Sequence, residues 1–224
     1  AWRTTWGVLN LAHRKSKADP QPMTAGKVET VTIELDALAY RFKAGHKLRL
    51  AVSTEYFPML VPSPSKITAT IDLGQQSVLN LPQSDFQSTA VTDPSSVEPK
   101  SAKRQPKSRH VITRDQINKT TKVQVHHLSH EKIAEHNGMI WDDYSTSEYT
   151  IADSDPLSYE AVETATYTHR RGHGEGSLDT KVSAQGRLRT SKTHFHVTAR
   201  LEASENNRIV YARSWHYDVP RDYQ

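Results

Sequence analysis

Apolar residues recur at every second position through much of this chain, and that period of two restricts its fold more than any other feature. In residues 33–58, Ile33, Leu35 and Ala37 alternate with Glu34 and Asp36, and Leu48, Leu50 and Val52 alternate with Lys47, Arg49 and Ala51. Each run offers one apolar face to a core and one polar face to water, as half-buried strands do. Between the runs, Lys43-Ala44-Gly45-His46 supplies a glycine where a hairpin connection needs positive φ. Tyr40 and Phe42 stand ready to fold over the open end. This stretch predicts a hairpin that seeds a β-sandwich.

Taken in order, the chain predicts a strand over residues 4–12, a proline-containing loop over 15–22, and a turn at Ala25-Gly26 into a strand over 28–38. After the hairpin, Ile67, Ala69 and Ile71 alternate with Thr68 and Thr70, Gly74 turns, and 77–81 makes a further short strand. Five or six short strands at this spacing point to part of a jelly-roll sandwich. Residues 82–109 change character: Pro82, Pro94, Pro99 and Pro106, many serines, and a basic end in Lys100, Lys103, Arg104, Lys107 and Arg109 read as a solvated linker.

From His110 the alternation returns. Residues 111–114 and 122–127 pair as a hairpin around Ile117-Asn118-Lys119-Thr120, residues 148–151 lead into a turn at Asp153-Ser154-Asp155-Pro156, and long runs follow over 160–169, 177–190, 193–204 and 208–217. In the third of these, Phe195, Val197, Ala199, Leu201 and Ala203 face one way while His194, His196, Thr198, Arg200 and Glu202 face the other. An antiparallel meander with a wet outer face is expected. Only residues 131–136 and 156–159 invite a helical turn or two.

Composition narrows the function classes. The 35% hydrophobic content is lean, which favours sheets with one wet face over a fully wrapped α/β core. With no cysteine, disulfides, thiolate metal sites and a cysteine nucleophile are excluded, and a reducing, cytoplasmic setting is expected. No apolar run approaches the ~18 residues of a membrane span, so no membrane association is expected. The net charge of +4 lies largely in the linker, without stacking motifs or a helix-turn-helix pattern, so nucleic acid is not an expected partner. The chain opens on Trp2-Arg3-Thr4-Thr5-Trp6, already strand-like, which reads as the interior of a longer polypeptide.

The run from Arg41 to Leu50, RFKAGHKLRL, followed by Ser53 and Phe57-Pro58, resembles a signature of the C-terminal β domain of cocaine-esterase-like and X-prolyl dipeptidyl-peptidase-like serine hydrolases. Gly7-Val8-Leu9-Asn10-Leu11-Ala12-His13-Arg14 upstream and Pro62-Ser63-Pro64 downstream fit the same pattern. Asp155-Pro156-Leu157-Ser158, Arg213-Ser214-Trp215 and Val219-Pro220-Arg221-Asp222 look like the extra C-terminal region of longer members. The resemblance implies an all-β chain: a partial jelly-roll-like, galactose-binding-like sandwich over 1–81, the linker over 82–109, and an antiparallel sheet region over 110–224.

It also implies that the catalytic triad belongs to an α/β-hydrolase domain outside these residues, and that this region serves packing, substrate-entrance shaping or oligomerisation. The expected partners are that hydrolase domain or another chain completing the sheet, and a second copy in a homo-oligomer. Gly45, His46, Arg49 and Pro58 become structural motif residues, His46 fixing the hairpin end and Arg49 pairing across it with Glu34 or Asp36.

Direct chemistry is sparse. No Gly-x-Ser-x-Gly elbow occurs, so no catalytic residue is assigned. His126, His127, His130 and His136 cluster with Glu131 and Glu135, yet position 134 is Ala where a zincin helix needs its second histidine. His127 and His130 are the pair that a curled loop would bring to one metal ion. His169 and His173 flank Arg170-Arg171-Gly172, but no helix follows to build a phosphate cradle, and no cofactor is expected. The alternative to an accessory domain is a stand-alone carbohydrate- or small-ligand-binding β module with Trp141, Tyr144 and Tyr149 as its platform.

Overall fold

The structure, a computed structural model, describes residues 3–83, 107–133, 138–172 and 176–223. It is nearly all β, with one seven-stranded antiparallel sheet in the order β1-β2-β3-β4-β5-β6-β7 and a single short 3₁₀ turn at Leu11–His13 among the described residues. The strands are β1 (Lys107–Asp115), β2 (Thr120–Ile133), β3 (Met139–Ala152), β4 (Asp155–Arg171), β5 (Leu178–Thr190), β6 (His194–Glu205) and β7 (Arg208–Pro220). Every strand pairs with its sequence neighbours, so β1 and β7 are the open edges.

Side chains at partnered positions share a face. One row across all seven strands reads Ile112, Val123, Tyr149, Ala161, Leu188, Val197 and Tyr217. One residue along each strand, the next row reads Thr113, Lys122, Thr150, Glu160, Arg189, His196 and Asp218. The sheet thus has an apolar face and a charged face, as the alternation of residues 194–203 predicts. Valine and tyrosine, which fit a pleated half-buried surface, supply four of the seven positions of the first row, and threonine two of the second.

The connections carry their own chemistry. Asp115 Oδ1 accepts from the N–H groups of Ile117 and Asn118 at 2.8 and 2.9 Å, bending the chain between β1 and β2. Between β6 and β7, Asn206 and Asn207 both take positive φ, 48° and 63°, the conformation a two-residue hairpin loop demands.

Several sequence expectations are corrected here. Residues 131–133 continue β2 and residues 156–159 belong to β4, so neither is helical; residues 134–136 of the first candidate lie outside the described residues. Tertiary pairing overrides local preference where both neighbours already offer a ladder. Strand β1 starts at Lys107, taking Lys107 and Arg109 out of the linker, whose stretch 84–106 lies outside the described residues. Among residues 3–83 no strand ladder forms. Isolated bonds hold the segment instead: Asp36 N–H donates to the Trp6 carbonyl at 2.9 Å, and Thr5 Oγ1 donates to the Asp36 carbonyl at 2.8 Å. A two-stranded ribbon without further strands is marginal in water, which accounts for a turn at residues 43–46 without a ladder around it.

The core sits where this irregular segment meets the apolar face. Tyr159 of β4 is only 4% exposed, and the Phe57 ring meets it edge-on at 6.2 Å. Arg221, 6% exposed just beyond β7, donates to the Pro62 carbonyl at 2.6 Å and the Ser191 carbonyl at 3.2 Å, and its guanidinium lies 4.7 Å from the centre of the Phe195 ring.

Candidate functional site

Strand parity decides which candidate residues can act together. His127 and His130 lie three apart on β2, so their side chains leave opposite faces of the sheet. His127 is on the apolar face, its Nε2 3.9 Å from Asp143 Oδ2; His130 is on the charged face, its Nδ1 2.5 Å from Asp142 Oδ1. The curled loop that would unite them is a regular strand, and the pair cannot share an ion. Among the described residues, no group of three or more His, Asp or Glu side chains is placed to hold a metal.

Trp141, Tyr144 and Tyr149 separate by the same rule. Trp141 and Tyr149 share the apolar face but stand eight residues apart on β3, about 26 Å at the rise of a strand. Tyr144 projects from the charged face, where Thr146 Oγ1 donates to its hydroxyl at 3.1 Å. Trp141 meets the His169 ring edge-on at 4.8 Å, and the Tyr149 hydroxyl donates to Glu163 Oε1 at 3.1 Å. No single ring platform results.

In the segment that precedes the sheet, Gly45 takes φ +83° and His46 N–H donates to the Lys43 carbonyl at 3.2 Å, closing the turn read from the sequence. His46 and Arg49 are both exposed, and no ion pair joins Arg49 to Glu34 or Asp36 among the described residues, because no ladder places them opposite. Pro58, half-buried after a cis peptide bond, lies beside the Phe57–Tyr159 contact.

What sequence reading missed is the charge network of the wet face. Asp142 is pushed up by partial burial but held below its ordinary range overall by bonds from His130 and Arg170. Lys122 and Gln124 both donate to Glu148, and Lys122 first of all holds that carboxyl down. At the β6–β7 edge, His196 Nδ1 lies 2.6 Å from Asp218 Oδ1 with His216 at 3.6 Å; the His196 bond is the main cause of the lowered Asp218 pKa. Glu160 receives Arg189 at 2.6 Å and Arg187 at 3.5 Å. The cross-strand partners behind these contacts appear only once the register is known.

The same face carries a shallow hollow lined by Gln185, Arg187, Thr198, Arg200 and Ser214, with Ala199 and Trp215 also contributing to its lining. A second crevice runs between Trp6-Gly7-Val8 and residues 34–37. Neither combines a nucleophile, a base and an orienting acid. At 3.9 Å the His127–Asp143 approach is too long for the hydrogen bond that would orient a catalytic base.

Residues 1–98 match the family model of the X-Pro dipeptidyl-peptidase C-terminal non-catalytic domain, and the chain is similar to that domain over this stretch. The match ends before β1, so the seven-stranded sheet lies outside it. No curated protein and no solved structure matches the chain. Among the described residues no helix is long and apolar enough to cross a membrane.

Proposed function

We propose that this chain is a non-catalytic accessory β region of a serine hydrolase of the cocaine-esterase or X-Pro dipeptidyl-peptidase type. The single observation that carries the reading is the match of residues 1–98 to a C-terminal domain described as non-catalytic. Its role is to pack against an α/β-hydrolase domain, help shape the substrate entrance and supply oligomer contacts, in the cytoplasm.

Exposure in the matched segment supports a covering partner. Val28 and Leu73 are each 87% exposed, and Leu48, Leu50 and Val52 stand in the open with them. Apolar residues exposed in series mark surfaces that meet something else. The hydrolase domain, or another chain that completes the sheet, is the occupant this reading assigns.

The test has two arms. The purified chain is assayed against a chromogenic ester and an X-Pro anilide, with no turnover expected. Separately, it is mixed with the α/β-hydrolase domain encoded in frame beside it, and a complex is sought by size exclusion. Turnover by this chain alone would refute the accessory reading, and a neighbouring reading frame without any hydrolase domain would remove its partner.

A further inference from the structure

The hollow on the charged face has the composition of an anion site. Arg187, Thr198 and His216 are consecutive partners across β5, β6 and β7, and Gln185, Arg200 and Ser214 form the next row on the same face. Diagonal neighbours on adjacent strands stand roughly 7–8 Å apart, so Arg187 and Arg200 both border the hollow on either side of Thr198, within a side-chain swing of one another. Every side chain of the lining on this face carries N–H or O–H donors, and none is a carboxylate.

The nearby acids leave donors to spare. Glu160 is engaged at 2.6 Å by Arg189 and only at 3.5 Å by Arg187, and Glu202 takes a single guanidinium nitrogen of Arg200 at 3.1 Å. The side chains of Arg187 and Arg200 are 44% and 65% exposed, open to a ligand. The geometry points to a binding site for a tetrahedral oxyanion, a phosphate or sulfate group, held by Arg187 and Arg200 with the Thr198 and Ser214 hydroxyls and the Gln185 amide beneath. A carboxylate is matched by one guanidinium fork, whereas donors supplied by three strands suit an anion with more acceptor oxygens. This site is independent of the accessory reading and lies outside the residues that support it.

The test is a titration of the full chain with inorganic phosphate, and in parallel with sulfate and with acetate, at ionic strength held constant with chloride. The readout is the backbone amide spectrum. Saturating shifts confined to Thr198, Ala199, Arg200, Ser214 and Trp215 are expected with phosphate or sulfate, the tighter of the two naming the group. Arg187→Gln and Arg200→Gln should each weaken binding about 10- to 100-fold, the loss of a charged hydrogen bond. Arg213→Gln, on the opposite face over the Trp215 ring, should leave it unchanged. Shifts that never saturate, binding that survives both arginine variants in spectra that remain folded, or acetate bound as tightly as phosphate would each overturn the site.

Discussion

Arg221 and Arg14 show how single side chains hold an irregular segment in place. Among the described residues no carboxylate pairs with Arg221; two carbonyls and the Phe195 ring surround it, its Nε is buried without a hydrogen-bond partner, and burial lowers its pKa. Arg221→Ala removes the bond from the sheet to Pro62 and should destabilise the fold by about 2–4 kcal/mol, read from the urea midpoint. Arg213→Ala, which loses only an exposed ring contact, should stay within about 0.5 kcal/mol.

Arg14 donates to the Leu11, Gln21 and Pro22 carbonyls and grips Glu29 with two nitrogens. That bond, with one from Lys27, takes the Glu29 carboxyl from its ordinary 4.5 down to about 2. Because the folded value is depressed, the stabilisation is complete above the unfolded pKa and disappears as pH falls through about 2. Glu29→Gln should therefore be less stable than the parent at pH 7, with the gap closing between about pH 4.5 and 2 in parallel denaturation curves. At Gly7, an added Cβ would sit 2.2 Å from the Glu34 carbonyl oxygen. Gly7→Ala must push residues 5–8 away from 34–37, with a lowered melting temperature as the expected outcome and roughly 1–3 kcal/mol as the scale.

At the scale of elements, the β6–β7 hairpin offers the clearest test of turn chemistry. Asn207 sits at φ 63°, so Asn207→Gly should be neutral or better while Asn207→Val should cost about 1–2 kcal/mol in thermal unfolding. This turn was legible in advance, as were β5, β6 and residues 160–169 of β4. Their alternation runs long enough to show one wet face, and the paired asparagines at 206 and 207 mark the bend after β6. The N-terminal half of β3 was not legible, because Asp142-Asp143 and Ser145 to Ser147 place polar side chains on both faces and leave no period to read. The metal reading at His127 and His130 failed for the same reason: with the stretch taken as loop, the odd spacing carried no meaning, whereas on a strand it sends the two rings apart. Residues 33–58 gave the converse case. Their alternation was plain and the Gly45 turn is present, yet a pattern that suits a strand makes no ladder without a neighbour to pair with. The anion hollow needed the register of three strands, which no local pattern contains.

For the whole molecule, the contrast between a laddered sheet and a segment held by isolated bonds predicts two classes of amide. Strand amides of β2 to β6 should exchange slowly with solvent and those of residues 28–81 rapidly, with the second class slowing when a covering partner binds. Equal protection throughout the free chain would contradict the accessory reading. The neighbour-only order of the strands has a kinetic side as well. Each hairpin joins residues close along the chain, so the sheet can zip from any bend without closing a large loop, whereas the Arg221–Pro62 bond spans 159 residues. Refolding should accordingly show sheet signal first and quenching around Phe57, Tyr159 and Phe195 afterwards, the last contact acting as a latch on an already finished frame.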